Sequence, residues 1–257
     1  MRIATWNVNS LAARLARVEE WIEYAHPDVL CLQETKQADS AFPHAAFATL
    51  GYETAHHGDG RWNGVAIASR VGLSGVTRGL GSEDDAQGPR AIAADCGGVR
   101  VVSVYVPNGR SLDSEHYLAK LAWLARLRSV LDETSSPDRP VAVCGDFNVA
   151  PEDRDVWDPA QFEGMTHVSA PEREALADLR SWGLVDVFRS LYDDDGLFSW
   201  WDYRGGSFHR HQGMRIDLIL VTEVLAARTT YALIDRNARK GEKPSDHAPV
   251  LIDTEVG

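Results

Sequence analysis

Short apolar stretches recur along the chain at Ile3–Trp6, Val29–Leu32, Val65–Ala68, Val99–Val106, Val141–Cys144, Ile216–Val221 and Val250–Ile252. They are too short for helices and rich in β-branched residues, which marks them as buried strands. Helical periodicity fills some of the intervals. Leu11, Leu15, Val18 and Ile22 form one stripe, and it must end before Pro27, whose ring disfavours helix at the preceding residue. Tyr117, Leu121, Leu124 and Leu131 form a second, with Asp113 or Ser114 as N-cap. Ser169-Ala170-Pro171-Glu172 opens a third with capping-box spacing and Pro in the first turn. Many strands with few helices predict an α/β protein, two packed sheets with helices outside. No low-complexity tract or Gly/Ser linker divides the chain, so one domain over 1–257 is expected.

Composition narrows the class. A chain of 257 residues lies within the range of single large sandwiches and barrels, and 44% hydrophobic residues can fill the core this requires. No apolar run approaches the ~20 residues of a membrane span. The opening Met1-Arg2-Ile3-Ala4-Thr5-Trp6 lacks the layout of a signal peptide, so a cytoplasmic location away from membranes is expected. Cys31, Cys96 and Cys144 show no Cys-x-x-Cys spacing and read as buried free thiols in a reducing compartment. A net charge of −12 argues against a nucleic-acid partner. That objection weakens if carboxylates cluster around a bound cation, because the ion inverts the local field. Charge alone leaves the partner open.

The polar residues fall at strand ends. Asn7 closes the first run, Glu34 follows the second, and Tyr105 ends the Val99 run. Asp146 and Asn148 follow the Val141 run, Asp217 opens the Ile216 run, and Asp246-His247 precede the last strand. Strand ends combine a rigid scaffold with a loop-lined rim, which suits a site. Oxygen donors without a His or Cys cluster favour a hard cation, Mg²⁺ or Mn²⁺, over zinc. Glu34 is the first ligand candidate, with Asn7, Asp146, Asn148 and Asp246 in support. Such an ion polarises a phosphoryl oxygen and screens its charge from a nucleophile. His247, beside Asp217 or Asp246, can serve as a cation for a developing phosphorane charge or as a base. Asp146 can orient or deprotonate water.

Each piece also has a plainer reading. Asn7 can cap the Leu11 helix, Gly145-Asp146-Phe147-Asn148 can be an ordinary turn, and Ser245-Asp246-His247 a solvated loop. Tyr105 can be a strand residue with a satisfied hydroxyl. It is their joint occurrence that points to a site.

Taken together, the segments Trp6-Asn7-Val8-Asn9, Leu32-Gln33-Glu34-Thr35-Lys36, Gly145-Asp146-Phe147-Asn148 and Lys243-Pro244-Ser245-Asp246-His247 resemble the exonuclease III family of abasic-site endonucleases, within the endonuclease/exonuclease/phosphatase superfamily. The block from Trp182 to Asp217, with Phe198-Ser199-Trp200-Trp201-Asp202-Tyr203-Arg204 and Gly213-Met214-Arg215-Ile216-Asp217, resembles the abasic-site branch in particular. The resemblance implies a four-layer α/β sandwich of two mostly antiparallel sheets flanked by helices. It implies Glu34 as a metal ligand with Asn7 nearby and Asp246 as a second. Asp146 would activate water, Asn148 would stabilise the transition state, and Tyr105 and His247, the latter paired with Asp217, would contact the scissile phosphate.

The resemblance further implies a pocket of Trp200, Met214 and Ile216 that admits a sugar lacking its base. Core packing is the plainer reading of those three. Asn108, Arg110 and Arg90 match DNA-contacting positions, or are solvated loop residues. The expected partner is double-stranded DNA with abasic sites or 3′ ends, bound by a monomer. Cleavage would fall 5′ to the abasic site, with 3′-to-5′ exonuclease and 3′-end-cleaning activity. A phosphoesterase acting on a small or lipid substrate, and an inactive DNA-binding module, are the alternatives. Met214 and His211 depart from the commoner residues at their positions, and the Gly109–Ser114 loop is short.

Overall fold

In the computed structural model, which describes residues 1–81 and 87–255, the chain forms two six-stranded sheets. Strands β1 (Arg2–Asn7), β2 (Val29–Gln33), β3 (Glu53–His57) and β4 (Val65–Ser69) begin the first sheet. Strands β5 (Ser74–Arg78), β6 (Ala91–Cys96), β7 (Val99–Tyr105), β8 (Val141–Asp146), β9 (Leu184–Asp186) and β10 (Asp217–Thr222) make the second. The chain then returns to the first with β11 (Thr229–Ile234) and β12 (Val250–Thr254). The orders are β11-β12-β1-β2-β4-β3 and β5-β6-β7-β8-β10-β9. The runs read from the sequence are the interior strands β12, β1, β2, β4, β7, β8 and β10.

Pairing is antiparallel except at β1–β2 and β7–β8. Parallel neighbours need a crossover, and each pair has a helix for it. Helix α1 (Leu11–Ala25) joins β1 to β2, and α2 (His44–Thr49) follows β2. Helix α3 (Glu115–Thr134) joins β7 to β8, and α4 (Ala170–Ser181) packs beside it. Two short helices, α5 (Val187–Leu191) and α6 (Glu223–Ala226), complete the set. One core of Ile3, Cys31, Ile67, Val101, Cys144 and Ile219 lies between the sheets. A second packs α3 and α4 against β7, β8 and β10, and a third packs α1 and α2 against β1, β2 and β4. The layers are therefore helix, sheet, sheet, helix, as expected. All three cysteines are buried and free.

Local signals behaved as the sequence indicates. Helix α1 ends at His26 in the left-handed conformation, before Pro27. Ser114 caps α3 by accepting from Tyr117 N at 3.2 Å, and the Ser169/Glu172 capping box opens α4. Two details differ. Asn7 does not cap α1, whose N-cap is Ser10. The first amides there bond instead to the β2 loop, Ser10 N to Glu34 O at 2.7 Å and Leu11 N to Thr35 O at 3.0 Å. In α3 the buried stripe runs through Tyr117, Lys120, Trp123, Leu124, Leu127 and Leu131, leaving Leu121 half-buried. Among the described residues no helix is long and apolar enough to cross a membrane.

Candidate active site

The carboxyl ends of both parallel pairs emerge on one edge, the place where ligands bind in α/β sheets. Asn7 stands opposite Gln33, one residue before Glu34. In the second sheet Asp146 stands opposite Tyr105 on one side and Asp217 on the other. A Cβ on Gly145 would lie 1.9 Å from Val104 O, so only glycine lets β8 lie this close to β7 just before Asp146.

Asn7 joins the sheets. Its Nδ2 donates to Glu34 Oε1 and to Asp146 Oδ2, each at 2.9 Å, while its Oδ1 accepts from Asn9 N at 3.0 Å. Lys36 Nζ pairs with Glu34 Oε2 at 2.9 Å and donates to Asn9 Oδ1 at 2.6 Å. On the other side of Asp146, His247 Nε2 lies 3.8 Å from Asp146 Oδ2. Its Nδ1 is held by Asp217 Oδ2 at 2.8 Å, and Asp217 also accepts from Ser199 Oγ at 2.7 Å. Asn148 N donates to Asp146 Oδ1 at 2.9 Å, and Asn148 Nδ2 to Val106 O at 3.0 Å.

These groups titrate abnormally, for physical reasons. Burial pushes the Asp146 carboxyl up to about 7, with His247 opposing and nearby Asp217 adding to the rise. Burial alone would depress His247, but Asp217, Asp146 and Asp246 overcome it and hold the imidazolium up to about 10. Tyr105 is pushed well above its ordinary value by burial and by Glu34 and Asp146, so it is a neutral phenol. The site thus offers a carboxylate poised near neutrality, a fixed imidazolium and a phenolic donor side by side.

Atoms of Glu34, Asp146 and His247 lie within 4.8 Å of one another, close enough to hold one metal ion. The donor chemistry fits a hard cation at Glu34 and Asp146. His247 is a poor ligand, because its ring keeps both protons while Asp217 holds Nδ1. Asp246 lines the same cavity as that trio. Its oxygens accept from Asn9 Nδ2 at 3.0 Å and Trp200 Nε1 at 3.1 Å.

A cavity of about 180 Å³ opens over these groups, lined by Tyr105, Asn108, Asn148, Trp200, Met214 and Ile216 among others. Met214 and Ile216 also pack with Ala150 and Val156, so core packing and pocket wall are both true of them. Arg90 and Arg110 do not line it. Arg90 stacks over the Tyr105 ring at 4.6 Å, and Arg110 follows a turn in which its N donates to Asn108 Oδ1 at 3.1 Å.

Sequence reasoning missed His167, which lines the same cavity. Its Nδ1 lies 2.6 Å from Asn148 O, and burial, with Lys120 adding, pushes the ring down to about 4, leaving it neutral. No periodicity marks the segment around it. Also missed was Arg215, buried between the two pocket residues and paired with Asp155 at 2.7 Å and Asp186 at 2.8 Å.

A two-sheet scaffold with carboxylates and an imidazolium gathered at its parallel-strand ends has the groups that phosphoester hydrolysis uses. Comparison with known proteins agrees. The model of the endonuclease/exonuclease/phosphatase family matches residues 4–247. Exodeoxyribonuclease III of Haemophilus influenzae is 35% identical over 265 residues, covering 98% of this chain and 99% of its own. Among solved structures, an AP endonuclease from Archaeoglobus fulgidus superposes with a TM-score of 0.96 at 40% identity, over 100% of both chains. The 3′ phosphatase NExo from Neisseria, bound to product DNA hairpin, gives 0.96 at 39% identity, again over 100% of both. The chain belongs to the endonuclease/exonuclease/phosphatase family, in its exonuclease III branch.

Proposed function

We propose that this protein is a DNA-repair phosphodiesterase that hydrolyses the backbone 5′ to abasic sites and processes 3′ ends. The observation that carries this reading is the placing of Asp146 between Glu34 with Asn7 on one side and His247 on the other, beneath the Trp200/Met214/Ile216 wall. Glu34 and Asp146, with Asn7 and Asn148 beside them, would hold Mg²⁺ or Mn²⁺, which would supply Lewis-acid polarisation of the phosphate and offset its charge. Asp246, held by Asn9 and Trp200 on the same cavity, is a further carboxylate available to a cation in this reading.

Asp146, ionised beside the cation and next to His247, accepts the proton of the attacking water. His247, fixed by Asp217 as an imidazolium, donates to the oxygen on which phosphorane charge develops. Tyr105 donates its phenolic proton in a hydrogen bond to the same phosphate. Asn148 orients Asp146 and adds an amide donor. Asn108 lines the path of the strand, with Arg90 and Arg110 at its rim. One chain supplies every group named, which supports action as a monomer and a single catalytic domain. The three buried free thiols support a cytosolic setting.

A second reading puts the main activity at 3′ termini. It is supported by the structural likeness to a 3′ phosphatase, equal to that to an AP endonuclease, and by a cavity of only about 180 Å³. Incision of an abasic duplex, measured beside phosphate release from a 3′-phosphorylated nick, tests both. Cleavage of neither, with inositol phosphates hydrolysed instead, would refute the DNA assignment.

A further inference from the structure

Lys120 takes no part in the chemistry above, yet its whole side chain is buried on the inner face of α3, where an apolar residue is the norm. Its Nζ forms an ion pair with the equally buried Glu172. It also donates to Asn148 O at 2.6 Å, with Asn108 O at 3.3 Å and Thr166 Oγ1 at 3.4 Å within reach. Glu172 accepts in turn from Thr166 Oγ1 at 2.6 Å and from His167 N at 2.9 Å. One ammonium thus gathers the three loops that carry Asn108, Asn148 and His167 to the cavity.

Stability is a weak reason for this arrangement, since replacing a buried ion pair by apolar residues is often neutral or favourable. The contacts of Asn148 supply a stronger one. Asn148 lies in the left-handed region at φ 51°, which asparagine adopts at small cost, so its partners decide where its carbonyl and amide point. Its carbonyl is the group that Lys120 Nζ and His167 Nδ1 both hold at 2.6 Å.

We propose that Lys120 is a positioning residue for the hydrolysis, clamping the Asn148 backbone so that the Asn148 side-chain amide meets the phosphate in register. This rests on the reading of Asn148 as part of the reacting site. Lys120→Met lowers kcat on a 3′-phosphorylated nicked duplex by on the order of 10²-fold and leaves KM within about twofold, the signature of a lost transition-state interaction. Because Lys120 acts through Asn148, Lys120→Met costs nothing further in an Asn148→Ala background.

Multiplying losses in the Lys120→Met/Asn148→Ala protein overturn this proposal alone. An Asn148→Ala protein as active as wild type overturns it together with the reading of the site. If Lys120→Met fails to fold, Lys120→Met/Glu172→Gln, which leaves no unpaired buried charge, restores cooperative melting. In that protein kcat stays low on the proposal, and a return to the wild-type rate overturns it.

Discussion

Asn7 and Asp146 come from different sheets, and the Asn7 amide donates to the Asp146 carboxylate at 2.9 Å while reaching Glu34 at the same distance. A single buried side chain thereby sets the spacing of the two carboxylates proposed to share the metal. Asn7→Ala removes the shared donor and leaves both carboxylates to repel. The expected loss in kcat is on the order of 10²-fold, with a stability cost of about 1–3 kcal/mol, read from turnover and urea melts. Wild-type turnover in this variant would deny Asn7 its role.

The metal assignment has its own test. Glu34→Gln keeps the shape of the side chain and its contact with Asn7 but removes a charge. Mn²⁺ affinity, followed by its paramagnetic resonance signal, should fall by at least about tenfold, and dialysis against EDTA should abolish wild-type turnover. Full activity after EDTA would sink the metal role, whatever Glu34→Gln does.

The His247–Asp217 pair predicts an alkaline limb. His247 is raised from 6.5 to about 10, so its contribution to stability is complete below pH 6.5 and is lost as pH rises through about 10. The same protonation should sustain turnover up to that pH. Asp217→Asn removes the foremost of the carboxylates that raise it, so the alkaline limb moves to lower pH. The kcat–pH profile reads this directly, and an unmoved limb in Asp217→Asn would show that another group sets it.

Ion pairs divide by depth. Arg215 is buried with Asp155 and Asp186, whereas Arg154 and Asp193 pair at the surface. Arg215→Leu leaves buried Asp186 without a charged partner and Asp155 with Arg189 alone, at about 3–5 kcal/mol, a fall in Tm of roughly 6–20 °C. Arg154→Ala should cost less than about 1 kcal/mol. Comparable melting of the two variants would refute the contrast.

What the sequence could reveal follows the same division. The seven apolar runs became interior strands because burial on both faces demands continuous hydrophobicity. The four sheet edges β3, β5, β9 and β11 carry mixed stretches such as Glu53–His57 and Ser74–Arg78, half of whose faces meet solvent or loops, and they went unread. Alanine-rich β6 lacked the β-branched signature too. Site residues such as Glu34 and Asp146 were readable because each lies next to a run that fixes its place. Lys120 was hidden for the opposite reason. A lysine at a helix position reads as solvated, and its partner Glu172 lies 52 residues away, so the apolar pattern points to Leu121 instead. Pairings of this kind depend on strand order, which no local pattern encodes.

Trp200 separates the chemistry from the choice of substrate. Its indole N–H holds Asp246 at 3.1 Å, while its ring forms part of the cavity wall beside Met214 and Ile216. Trp200→Phe loses the hydrogen bond but keeps an aromatic wall, so it should slow all substrates by a similar, modest factor. Trp200→Ala loses the wall as well. If exclusion of normal nucleotides depends on that wall, the ratio of abasic incision to internal cleavage of intact duplex should fall at least about tenfold in Trp200→Ala and hold in Trp200→Phe, since apolar shape discrimination is worth roughly 1–3 kcal/mol. Equal ratios in wild type, Trp200→Phe and Trp200→Ala would move the selection of substrate away from this pocket and leave the reading of 3′ termini as the stronger one.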